Sequence, residues 1–106
     1  MSKLLDFGSM RDEPHFDSDE KKNQENIKKH ALSFEEVKPV FLDDYKLDFE
    51  DTSDEEERYN LIGTAYGIIL FVVYTFREVD GVLKIRIISA RKANQHEKSK
   101  YFQNRR

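Results

Sequence analysis

Cysteine and tryptophan are absent from this chain of 106 residues, and only two prolines and four glycines occur. Without cysteine, disulfides and thiolate metal sites are excluded. Long apolar runs are missing too. The longest, Ile68–Tyr74, is far short of the roughly 20 residues needed to cross a bilayer. No apolar signal-peptide core opens the chain, since Asp6 and Gly8 interrupt Leu4, Leu5 and Phe7. The expectation is a soluble cytoplasmic protein with no membrane partner and no metal or cofactor. The length fits one domain. With 38% hydrophobic residues, it can bury one sheet face against a few helices and little more.

Charge is plentiful and unevenly placed. The net charge is −3, yet residues 1–80 carry twenty acidic and ten basic side chains, a balance of −10. Residues 81–106 carry eight basic groups against Glu97 alone, a balance of +7. A concentrated positive surface suits a polyanion, while the overall acidity argues against indiscriminate DNA coating. A solvated basic helix face fits the same composition.

Residues 1–14 mix Gly, Ser, Pro and charge without a period and read as a loose arm. Asp17 and Glu20 then have capping-box spacing for a helix from about Ser18 to His30, whose one clearly apolar residue is Ile27. Such a helix must lie on the surface. Ser33 and Glu36 repeat the box, with Leu32 and Val37 at staple positions and Phe34, Val37 and Phe41 on one face. Pro39 costs roughly 3 kcal/mol inside a helix, so the second helix is expected to be short and kinked. Tyr45, Leu47 and Phe49 alternate with charges as a half-buried strand does, and an acidic loop, Asp51–Glu57, follows. Further strands are read over Arg58–Ala65, Ile68–Phe76 and Val82–Ala90, joined by turns at Gly67 and Asp80-Gly81. The Ile68–Phe76 strand is apolar on both faces, as in a sheet centre. Asn94 and Glu97 start a last helix. The fold class is α+β: two N-terminal helices, a four-stranded antiparallel meander and a C-terminal helix.

On the last strand Leu83, Ile85 and Ile87 share one face, and Lys84, Arg86 and Ile88 the other. Arg58 and Arg77 at strand termini, and Arg91 at the turn into the last helix, can join the basic face. Several guanidinium forks on one sheet face suit phosphate, because each donates two parallel hydrogen bonds.

The segments ENIKKHALSFEEVKPVFLDD, EEERYNLIG, FVVYTFRE and KIRIISARKANQHEKSKY, in this order, resemble the BrnT family of toxins from type II toxin-antitoxin systems. The likeness runs from about Phe16 to Tyr101, so residues 15–106 are taken as a BrnT-like toxin domain. It implies a RelE-like ribonuclease fold, an RNA substrate and inhibition of translation. It also implies a cognate BrnA-like ribbon-helix-helix antitoxin, through which DNA is met only indirectly. The chain departs from the family pattern at Ser18, which stands for a Trp in an F-x-W-D opening, at Ala31, which stands for a Gly, and at Pro39. These departures motivate the alternative of a non-catalytic module that only pairs with an antitoxin in a transcription-regulating complex.

Metal-independent RNA cleavage needs proton-transfer groups and cations that hold charge building on the phosphate. The expected catalytic set is His30, Lys29, Arg58, Arg86 and Arg91, with Arg77, Lys84 and Lys92 as further RNA contacts. His30 titrates near neutrality and can serve either proton role. It equally suits a helix C-terminus, where a cation is favourable. Arg58 follows three glutamates, so a local ion pair worth at most about 1 kcal/mol is its plain alternative. Anchoring of the turn is the alternative for Arg91. Glu55–Glu57 offer a general base or a solvated loop. Tyr74 and Tyr101 are read as core or helix-packing residues before base-stacking ones. His15 and His96 receive no role.

Overall fold

The structure, a computed structural model, describes residues 14–51 and 57–105. The arm expected over residues 1–14 lies outside them apart from Pro14, as do Glu55 and Glu56 of the acidic loop.

Asp19, not Asp17, caps the first helix. Its carboxylate accepts the Lys22 N–H at 3.1 Å, and α1 (Glu20–His30) follows. Asp17 is withdrawn from that role because residues 15–17 run extended and bridge Ile85 in parallel. The helix ends on Ala31, left-handed at φ 59°, whose N–H returns to Ile27 O. A side chain in that conformation costs about 1–2 kcal/mol. Ala31→Gly is therefore expected to stabilise the fold by a net 0.5–1 kcal/mol or so, after glycine's greater unfolded-state freedom is subtracted. The urea midpoint measures it.

Ser33 and Glu36 complete both halves of their capping box at the start of α2 (Phe34–Val37). Pro39 does not kink a helix here. The chain tightens into a 3₁₀ turn, Lys38–Leu42, in which proline sits at an early position where no N–H is needed. Phe34, Val37, Val40 and Phe41 are buried on one side of this unit.

The strands are β1 (Leu47–Asp51), β2 (Arg58–Ala65), β3 (Ile68–Val79) and β4 (Val82–Lys92), antiparallel in the order β1-β2-β3-β4. Tyr45, expected in the first strand, lies in a turn instead, since Asp43 Oδ1 captures its N–H at 3.0 Å. Tyr66-Gly67 and Asp80-Gly81 all have positive φ, as two-residue hairpins with the right-handed strand twist require. Between Val73 and Tyr74 the pairing with β4 slips by one residue, so Ile88 bulges.

Register sorts the side chains into two faces. Tyr59, Leu61 and Ala65 of β2, Leu70, Val72 and Tyr74 of β3, and Ile85, Ile87 and Ala90 of β4 face the α2 and 3₁₀ unit and form the core. Gly63 lets the 3₁₀ turn press on the sheet, because a Cβ there would lie 3.3 Å from Val40 O. Tyr74, fully buried, donates to Asp48 at 3.0 Å, and burial pushes both groups above their ordinary pKa. The opposite face meets the last helix, α3 (Gln95–Asn104), at one end only. There Tyr101 donates to Asp43 at 2.6 Å and accepts from Thr64 Oγ1 at 2.8 Å. Among the described residues no helix is long and apolar enough to cross a membrane.

Candidate functional site

The part of the sheet that α3 leaves uncovered holds the basic residues. Pairing sets Thr75 opposite Arg86 and Arg77 opposite Lys84. Tyr59 pairs with Tyr74, so Arg58 comes next to Thr75 on its other side, where Thr75 Oγ1 also donates to Glu57 O at 2.7 Å. Arg58 and Arg86 thus flank Thr75 in one row, two strand spacings or about 10 Å apart. The Arg77–Lys84 row lies about 7 Å further along the strands. Like charges directly opposite each other weaken a sheet. A bound polyanion reverses that sign.

Arg91 reaches the same face only because of the bulge. Unbroken alternation would set it with Ile85 and Ile87, in the core; the extra residue at Ile88 shifts the phase and turns it outward opposite Phe71. It lies four residues of β3 away from the Arg58–Thr75–Arg86 row, about 13 Å. Arg91 is within β4, not in the turn after it, and anchors α3. Nη1 and Nη2 donate to the two Glu97 oxygens at 2.9 and 2.8 Å, and the guanidinium lies 4.5 Å from the centre of the Phe71 ring. The hydrogen bonds from Arg91 and from the Asn94 N–H hold the Glu97 carboxyl below the usual glutamate range. A lowered folded-state pKa means stability that is present above the unfolded value and is lost as pH falls through the folded one. Glu97→Gln is accordingly expected to lower the urea midpoint at pH 7, and the gap to the parent to narrow towards pH 3.

Arg86 is also engaged. Nε and Nη2 donate to Asp17 Oδ2 at 3.0 and 2.6 Å, with about a fifth of each side chain exposed. Arg77 is exposed and Lys84 half-buried, whereas Lys92, although exposed, pairs with Leu70 and so lies on the sheet's other face, away from the basic rows. Arg77 lies inside β3, which extends past the expected end at Phe76 to Val79.

Lys29 and His30 stand apart. Both are exposed in the last turn of α1, one turn beyond Asn26, which docks the helix on the outer edge of β4. Among the described residues neither one bonds or ion-pairs to the basic rows. Tyr74 and Tyr101 are buried, which leaves them to packing. Two residues that sequence reading missed shape the site. Asp17 was read as a cap, and its spacing to Glu20 gave no hint of a bond across 69 positions. Asn26 was unmarked, although a surface helix with a single clear apolar residue must dock by other means.

The fold is a small α+β domain whose sheet carries adjacent rows of arginine and lysine on an uncovered face, an electrostatic pattern that suits a polyanion. The comparison with family models is specific: residues 19–97 match the model of the ribonuclease toxin BrnT of type II toxin-antitoxin systems, and the chain belongs to that family. Type II membership brings an antitoxin partner. Comparison with curated proteins gave no match.

Proposed function

We propose that the open sheet face binds RNA and cleaves it without a metal, so that the protein stops translation until a BrnA-like ribbon-helix-helix antitoxin covers it. DNA is then met through the antitoxin. The observation that carries this reading is the Arg58–Thr75–Arg86 row beside Arg77 and Lys84 on the face that α3 leaves open. Two arginines whose backbones are two strand spacings, about 10 Å, apart can reach one phosphate from both sides and hold the charge that builds there as the 2'-hydroxyl attacks. Arg77 and Lys84 extend the track to a neighbouring phosphate. Arg91 adds field to the face and orients α3. Lys29 and His30 contribute only where RNA runs over the outer edge of β4, and His30 would there supply a proton.

Purified protein incubated with RNA tests the reading. Cleavage leaving 2',3'-cyclic phosphate ends is expected, and intact RNA at high excess of folded protein rejects it. Carboxylates on Arg86 and Arg91 favour the second reading, a toxin-like module that pairs with its antitoxin without cutting. Under that reading expression of the chain leaves growth unaffected and the antitoxin still binds.

A further inference from the structure

Residues His15–Asp17 form a strap on the outer edge of β4. Ile85 N–H donates to His15 O and Asp17 N–H donates to Ile85 O, both at 2.8 Å. The Asp17 side chain is thereby held beside Arg86, the next residue along. Its contact there is one-sided: a single oxygen, Oδ2, accepts from Nε and Nη2, while Oδ1 accepts nothing among the described residues.

A guanidinium carries five N–H donors in a rigid plane with two usable edges. Asp17 takes the edge formed by Nε and Nη2. The other edge, formed by Nη1 and the second Nη2 hydrogen, makes no bond among the described residues. An arginine on a strand otherwise has several rotatable bonds to immobilise whenever a ligand arrives, and a site fixed beforehand avoids that cost. Asp17 itself needs no ordering, because the strap's two backbone bonds have already placed it.

We infer that Asp17 is a positioning residue, which sets the plane of Arg86 so that the remaining edge of its guanidinium meets the scissile phosphate. The inference rests on the ribonuclease reading above. It gives the N-terminal strap a place in the site, and it separates two roles that the ion pair alone would confuse. If Asp17 merely blocked Arg86, removing it would speed cleavage. As a positioning group, its removal slows cleavage although the face becomes more positive and RNA binds at least as well.

The experiment is a double-mutant cycle on the full chain, with a labelled RNA transcript and protein in excess. Asp17→Ala is expected to lower the maximal cleavage rate by roughly 10- to 100-fold, with the protein concentration at half-maximal rate not raised. In the Arg86→Ala background the same substitution is expected to change little, because Asp17 acts through Arg86. Should Asp17→Ala fail to fold, Asp17→Asn keeps an acceptor oxygen and carries the test, with an expected fall of about three- to tenfold. Faster cleavage, an unchanged rate, or equal slowing in both backgrounds overturns the inference while the parent still cuts RNA. A folded parent that leaves the transcript intact overturns the ribonuclease reading, and this inference with it.

Discussion

Replacing Arg86 by alanine is expected to lower RNA cleavage by about 100- to 1,000-fold, the usual loss when one preorganised donor to a developing oxyanion is removed. Arg86 is inside β4, paired with Thr75, and shielded enough that solvent weakens its field little. Arg58→Ala is expected to act in the same direction, from the other side of Thr75. Arg91→Ala should behave differently. Its guanidinium is committed to both oxygens of Glu97 and stacked on Phe71, so its loss releases the start of α3 before it touches the chemistry. Single-turnover rates beside urea midpoints separate the two behaviours. Equal loss of rate in Arg86→Ala and Arg91→Ala, at equal stability, would remove the Arg58–Thr75–Arg86 row from the centre of the site.

Asn26→Leu is expected to destabilise the fold by about 3 kcal/mol, more than any exposed substitution on α1. Asn26 is 5% exposed and behaves as a piece of extra strand. Its Nδ2 donates to Ala90 O at 2.9 Å and to Leu32 O at 3.0 Å, and its Oδ1 accepts the Ala90 N–H at 3.0 Å. Leucine fills the volume and strands three backbone groups, each costing about 1–3 kcal/mol when buried without a partner, less what water recovers at the edge. For a domain of this size the melting temperature should fall by roughly 10–20 °C. Ile27→Gln, one position along on the exposed side, is the control, with an expected change within about 0.5 kcal/mol. If Asn26→Leu melts with the parent, α1 does not hold the edge of β4. The consequence reaches function, because the pinned residue, Ala90, adjoins Arg91 on the strand that also carries Arg86.

Much of the architecture was legible because it rests on neighbours in the chain. The Ser33–Glu36 and Asn94–Glu97 boxes, the Asp80-Gly81 turn and the β2 bounds Arg58–Ala65 occur as read. Each depends on contacts within a few residues, where spacing and side-chain chemistry suffice. The shift from Asp17 to Asp19 at the first cap shows the limit of the same reasoning. Asp17 had the capping-box spacing to Glu20, yet Asp19 caps the helix while Asp17 pairs with a partner 69 residues away.

By itself, then, the amino-acid order determined the sequence of elements, the hairpin turns, the caps of α2 and α3, the basic character of the last strand and the family. Tertiary structure alone decided where Arg91 and Lys92 point relative to the basic face. The bulge at Ile88 exists only because β4 must register against β3 on both sides of it, and it turns Arg91 from the core to the open side. It also decided that Lys29 and His30 stand on a helix docked at the sheet's edge, away from the arginine rows. Alternation along one strand carries no record of how its neighbour is paired, and a helix carries none of the edge it will cover.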